Sequence, residues 1–166
     1  MRHRAKEREV LRVSDLLNRD SVMLRAETGT VQETLDLLVD LQESNGIITN
    51  GTAYHRAVCE REFAGGSTAI GDGLALPHAC TAGVAAPGIA ALTLRYALDW
   101  GAADGQPVDV IFMIAVPPEQ QSEHLLIMAR LVNLLCDPIL VRDLRRAVSR
   151  EDFILRLSRA EAERFA

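Results

Sequence analysis

The stretch Val110-Ile111-Phe112-Met113-Ile114-Ala115-Val116 is apolar at every position and shows no alternation. A strand with one face in water alternates apolar and polar side chains, so this run predicts a strand buried on both faces. Helices must then cover both sides of its sheet, which points to a three-layer α/β/α sandwich. Even counted from Val108, the stretch is interrupted by Asp109 and is far too short to span a bilayer.

The rest of the chain supplies the layers. Ser21 to Ala26 carries Val22 and Leu24 in a short alternating pattern, which reads as a strand. Thr30-Val31-Gln32-Glu33 has capping-box spacing, and Val31, Leu35, Leu38 and Gln42 follow at helical intervals up to Asn45-Gly46. A second helix, capped by Thr52 after the Asn50-Gly51 turn, runs to about Phe63 and ends before Gly65-Gly66. Ala69-Ile70 and Leu74-Ala75-Leu76 read as strand pieces around a tight Gly71-Asp72-Gly73 turn. Ile89 to Tyr96 and Val108 to Val116 are the clearest strands. Ser122 to Cys136 is a helix with Leu125, Met128, Val132 and Leu135 on a common face. Asp137-Pro138 starts another helix, and Ser149-Arg150-Glu151-Asp152 opens a last one. Helices, then strands, then helices argue an α/β fold with a mixed parallel and antiparallel sheet between helical layers. Residues 1–9, rich in alternating charge, are expected to form a flexible N-terminal arm, and residues 10–166 a single domain.

A chain of 166 residues, 48% apolar and 25% charged, has the composition of one globular domain rather than of a disordered segment. Its formal net charge of -5 offers no general field for nucleic acid or an anionic membrane. Cys59, Cys80 and Cys136 are odd in number and widely spaced, and read as reduced thiols rather than a disulfide framework or a structural zinc site. The basic start from Met1 to Arg8 is not followed by an apolar stretch, so no signal peptide is expected. These features predict a soluble, cytoplasmic protein without direct membrane insertion.

Four histidines are candidates for chemistry: His3, His55, His78 and His124. His3 lies in the arm and His55 among Tyr54 and Arg56 on the second helix, and both read as solvated. His78 ends a short apolar strand after Pro77, which rigidifies the approach and restricts Leu76 to extended geometry. That placement suits a site, with a structural histidine as the alternative reading. His124 falls in the first turn of the Ser122 helix, where free N–H groups and the helix dipole favour anions and disfavour an imidazolium. Its plain alternative is a helix-cap residue. Arg61, in Cys59-Glu60-Arg61-Glu62, is either part of a solvated face or a guanidinium that binds phosphoryl oxygens. A metal site of His78, Cys80 and His124 is a poor third reading, since no general base accompanies it.

Together these residues resemble the enzyme IIA domain of the fructose/mannitol type in the bacterial phosphoenolpyruvate-dependent sugar phosphotransferase system, a family that includes the nitrogen-regulatory IIA proteins. The resemblance rests on Ile70-Gly71-x-x-Leu74-Ala75-Leu76-Pro77-His78, on Leu98 to Val108 before the apolar strand, and on Glu123-His124-Leu125-Leu126. It covers nearly the whole chain from about Val10. It implies a phosphotransferase in which His78 takes a phosphoryl group from the phosphocarrier HPr and passes it to an enzyme IIB. His124 would lie beside it and Arg61 would help bind the phosphoryl group. The implied reactive atom is Nε2 of His78, with Nδ1–H directed to a backbone carbonyl. Thr68 and the backbone N–H groups of Gly71 and Gly73 are further phosphoryl-binding candidates. Leu74, Leu76 and the Ser122 helix are expected to form a water-excluding rim. No metal or cofactor is implied.

Two departures from the family pattern stand out. The interval from Arg61 to Ile70 is one residue longer, and Ala79 follows His78 where glycine is common. The Asp99 to Val108 segment favours a fructose-type carrier. The alternatives are a nitrogen-regulatory protein that binds targets in a phosphorylation-dependent way, and a non-catalytic binding module on the same fold.

Overall fold

The computed structural model describes residues 11–165, so the arm expected over residues 1–9 lies outside the described residues. Its elements are β1 (Val22–Ala26), α1 (Val31–Ser44), α2 (Gly51–Phe63), β2 (Ala69–Gly71), β3 (Leu74–Ala75), β4 (His78–Cys80), β5 (Gly88–Leu98), β6 (Val108–Val116), α3 (Gln121–Leu135), α4 (Pro138–Arg145) and α5 (Arg150–Arg164). Single 3-10 turns at Val13–Leu16, Arg19–Ser21 and Pro118–Gln120 fill connections.

β6 is the centre of the sheet. β5 pairs with it antiparallel on one side, and β3 and β4 pair with it parallel on the other. β1 runs parallel to β5 at one edge, and β2 runs antiparallel to β3 at the opposite edge. The sheet is mixed, as expected.

Its two faces divide by parity along β6, because successive strand side chains point to opposite sides. Val110, Phe112, Ile114 and Val116 pack with Ile127 and Leu131 of α3, Leu144 of α4 and Phe153 and Leu157 of α5. Ile111, Met113 and Ala115 pack with Leu35 and Leu38 of α1 and Tyr54 and Val58 of α2. Each fully buried aliphatic side chain here contributes roughly 1.5–3 kcal/mol by leaving water. The unalternating run thus has the predicted cause: helices cover both faces.

Local chemistry starts the helices, with some differences from expectation. Thr30 Oγ accepts the Glu33 N–H at 3.1 Å, but the Glu33 carboxylate takes the Gly29 N–H, so the capping box closes on one side only. α2 is capped by Asn50 instead of Thr52: Asn50 Oδ1 accepts the Ala53 N–H at 3.1 Å, and the helix begins at Gly51. Asp137 and Ser149 cap α4 and α5 as their sequence predicts. α3 begins at Gln121 without a side-chain cap, directly after the 3-10 turn. Among the described residues, no single helix is long and apolar enough to cross a membrane.

Leu74 to His78 is not one strand. β3 pairs Leu74 with Val110 and β4 pairs His78 with Ile114, the same register on either side of a break at Leu76-Pro77. Pro77 has no N–H for the ladder. The Leu76 N–H turns instead to the Thr68 carbonyl at 3.0 Å, and the Pro77 carbonyl accepts the Ile114 N–H at 3.0 Å. At the other end of β3, Asp72 (φ 55°) and Gly73 (φ 81°) form a two-residue hairpin turn with both residues left-handed. At φ 81° a side chain on Gly73 would be strained, and a Cβ there would also crowd Arg145 and Asp109, which favours glycine.

Candidate functional site

β4 and β6 run parallel and carry their carboxyl ends to the same edge of the sheet. His78 stands at the start of β4, and α3 begins three residues beyond the Pro117-Pro118 exit from β6. That connection brings His124, in the first turn of α3, over His78. The ring centroids are 5.4 Å apart with the planes at 47°. Two histidines separated by 46 positions in sequence therefore share one half-buried site.

His78 Nδ1 lies 2.8 Å from the Leu76 carbonyl oxygen. A carbonyl only accepts, so Nδ1 carries a proton, and the lone pair of the neutral ring lies on Nε2. Burial first and the neighbouring His78 second push the pKa of His124 below the ordinary histidine value, which favours its neutral form. Among the described residues its buried Nδ1 meets no hydrogen-bond partner. A bare ring nitrogen tolerates that environment better than an N–H would, which puts the proton on Nε2 as a donor.

Tyr54 fixes the floor of the site. Its hydroxyl donates to the Ile114 carbonyl at 2.9 Å, on the residue paired with His78. Burial pushes its phenol far up, against a smaller opposing effect of a backbone hydrogen bond from Ala79, so it stays protonated. Cys80 directs its thiol to the Pro117 carbonyl at 3.3 Å, and burial followed by the charge of Glu119 raises its pKa.

The other candidates fall elsewhere. Arg61 uses one guanidinium nitrogen to bind the carbonyls of Gly65 (3.1 Å) and Gly66 (2.8 Å), and has no hydrogen bond to either histidine. The helix ends here, with the Ala64 and Gly65 N–H groups both reaching the Glu60 carbonyl. Thr68 is buried with its hydroxyl donated to the Glu62 carboxylate, not held out for a phosphoryl group. Gly71 and Gly73 lie at the opposite end of the sheet, because β3 and β4 carry the chain along β6 between them and His78. Four strand steps separate Leu74 from His78, roughly 13 Å at about 3.3 Å each. Gly73 serves structure instead: its carbonyl accepts the Asp109 and Val110 N–H groups. The Asp99 to Val108 segment meets that remote end through Asp104, which accepts the Asp72 N–H at 2.9 Å, and meets Ser67 through the Trp100 carbonyl, which accepts the Ser67 hydroxyl at 2.6 Å.

The expected apolar rim also changes. Leu74 and Leu76 are buried in the core, whereas Leu125 and Leu126, next to His124, are 70% and 50% exposed. His55 sits on the α1–α2 surface, bonded to Asp36 and 2.9 Å from a Gln32 nitrogen. Sequence reasoning missed Glu62 and Tyr54. Their signal was helical phase: Tyr54, Val58 and Glu62 recur every four residues, on the side α2 turns toward the sheet.

A family model described as phosphoenolpyruvate-dependent sugar phosphotransferase system, EIIA 2, matches residues 15–160. The fructose-specific EIIABC component of Bacillus subtilis (strain 168) is 33% identical over 145 residues, which are 87% of this chain and 22% of that protein. The nitrogen regulatory protein of Escherichia coli (strain K12) is 29% identical over 143 residues, 86% of either chain. The crystal structure of nitrogen regulatory protein IIA-Ntr from Neisseria meningitidis has a TM-score of 0.81 at 26% identity, covering 87% of this chain and 98% of that one. Enzyme IIAMTL of Escherichia coli, in its complex with phosphorylated enzyme IIBMTL, shares the fold with a TM-score of 0.75 at 18% identity over 86% of this chain and 96% of that one. The chain spans about a fifth of the EIIABC proteins it matches and most of the nitrogen regulatory ones.

Proposed function

Because the chain belongs to the EIIA 2 family of the phosphoenolpyruvate-dependent sugar phosphotransferase system, we propose that it carries a phosphoryl group on Nε2 of His78, taken from phospho-HPr and passed to an enzyme IIB. The observation that carries this reading is the Nδ1–H of His78 held by the Leu76 carbonyl, which leaves Nε2 as a nucleophile beside a neutral His124.

The chemistry asks little of the protein beyond position. The Nε2 lone pair attacks phosphorus in line, the P–N bond to the donor histidine breaks, and its electron pair returns to that imidazole. The N–H of His124 donates to a phosphoryl oxygen, where charge is spread in the transition state. Arg61 joins only if its guanidinium leaves the Gly65 and Gly66 carbonyls. Leu125 and Leu126 offer exposed apolar area for the protein that brings or takes the group. Replacing His124 by alanine is expected to slow single-turnover transfer about 10²-fold, within the range for removing one such donor. Transfer at the wild-type rate would remove it from the mechanism.

A second reading is favoured by the likeness to nitrogen regulatory proteins over most of their length. There the same phosphohistidine would switch binding to a target protein. Incubation with phosphoenolpyruvate, enzyme I and HPr is expected to add one acid-labile phosphoryl group, read by intact mass. Rapid discharge of that group onto a fructose-type enzyme IIB supports the carrier. A phosphorylated protein that no enzyme IIB discharges, but that binds a target in one phosphorylation state, supports the regulator. No phosphoryl group with competent donors sinks both.

A further inference from the structure

Glu62 is a carboxylate for which the transfer chemistry has no use, and it is only 5% exposed. Burying such a group is costly unless it is well hydrogen-bonded. Among the described residues no ion pair holds it. Its partners are both on Thr68: the backbone N–H at 3.0 Å and the side-chain hydroxyl. From Thr68 the contacts continue toward the site. The Thr68 carbonyl accepts the Leu76 N–H at 3.0 Å, and the Leu76 carbonyl accepts the His78 Nδ1–H at 2.8 Å.

We infer that Glu62 is a positioning residue for phosphoryl transfer, holding His78 in its Nδ1–H tautomer through Thr68 and Leu76.

Two features make this chain of contacts matter. Leu76 precedes Pro77, which has no N–H for the ladder, so the Thr68 carbonyl is what fixes the Leu76 peptide against β2. Thr68 in turn follows Gly65-Gly66-Ser67, with Gly66 at φ 88°, a segment with glycine freedom. The Glu62 anchor removes that freedom at the point where β2 begins. Thr68 accordingly acts on the site through its backbone, with its hydroxyl engaged on the carboxylate.

The functional half of this inference rests on the phosphoryl-carrier reading, while the tautomer can be read without any phosphoryl donor. The test uses the full chain labelled with nitrogen-15. Long-range nitrogen–proton correlations report the His78 ring tautomer in wild type, Glu62→Gln and Thr68→Val, with circular dichroism confirming that each is folded. Single-turnover phosphorylation by phospho-HPr follows on the same samples. The expected result is a single Nδ1–H tautomer in wild type, a mixture with Nε2–H in both variants, and acceptance slowed about fivefold, the equivalent of one ordinary hydrogen bond. Folded variants with the wild-type tautomer and wild-type rate would overturn it, leaving Glu62 a stabiliser of the α2 end alone. If Glu62→Gln does not fold, Thr68→Val carries the same comparison. Wild type that takes no phosphoryl group while its variants still change tautomer overturns the transfer half and keeps Glu62 as the group that orients His78.

Discussion

Replacing His78 by alanine abolishes phosphoryl acceptance and leaves the protein folded. The expected loss is at least about 10³-fold, since removal of a nucleophile leaves only the binding contributions of the rest of the site. No neighbour can take over. His124 holds its proton on Nε2 and buries its Nδ1 without a partner, so it presents no free lone pair to an incoming phosphorus. Cys80 keeps its proton and points it at the Pro117 carbonyl. The fold should tolerate the change, because the ring is half exposed and makes one hydrogen bond, to Leu76, worth about 1 kcal/mol. Intact mass after incubation with phosphoenolpyruvate, enzyme I and HPr reads the result directly. A variant phosphorylated to the wild-type extent would move the acceptor elsewhere, and peptide mapping would then point first to His124.

Much of this site was legible because it depends on patterns that local chemistry enforces. The unalternating run of β6 required helices on both faces, and that requirement determined the layer order. Pro77 before His78 marked a rigid approach, and the early-helix position of His124 indicated a neutral ring. What could not be read was distance through the sheet. Gly71 and Gly73 are near His78 in sequence, so they looked like parts of its phosphoryl site. A parallel strand carries its chain the length of its neighbour, and it placed them at the far end, Gly71 beside Asp104 and Gly73 beside Arg145 and Asp109. The Asp99 to Val108 segment meets that end through Asp104 and the Ser67 hydroxyl through the Trp100 carbonyl, and neither contact is to a histidine. Glu62 was hidden for the opposite reason. In Cys59-Glu60-Arg61-Glu62 it reads as one charge of a solvated run, and only the four-residue spacing from Tyr54 and Val58 marks it as inward. Arg61, one position on the other side, has its guanidinium drawn to the Gly65 and Gly66 carbonyls just past the helix end, a competition that no motif encodes.

A second carboxylate should show the converse separation, with stability lost and chemistry kept. Glu161 of α5 is 1% exposed and ties three elements together. It accepts the Val13 N–H at 2.7 Å, the Ser14 N–H at 3.0 Å, the Ser14 hydroxyl at 2.8 Å and the Arg130 guanidinium of α3 at 2.9 Å. Glu161→Ala leaves a guanidinium that is only 12% exposed without its partner, together with several donors. Breaking a buried pair from one side costs about 3–5 kcal/mol, which urea unfolding at pH 7 should read as a large fall in midpoint. Burial pushes the Glu161 carboxyl up, but the backbone and hydroxyl donors of Ser14, the Val13 N–H and Arg130 outweigh it and hold the pKa below the ordinary glutamate value. A carboxyl whose folded pKa is lowered contributes stability that is complete above its unfolded pKa and lost as pH falls through the folded one. Wild type should therefore lose stability more steeply than Glu161→Ala as the medium is acidified below about pH 5. Equal acid slopes would show that the clamp is not the group being titrated. The His78–His124 pair is formed by the β4 and β6 ends and the first turn of α3, none of which touches Glu161. Transfer per folded molecule should consequently survive in Glu161→Ala wherever the folded state is populated, whereas His78→Ala loses transfer with the fold intact.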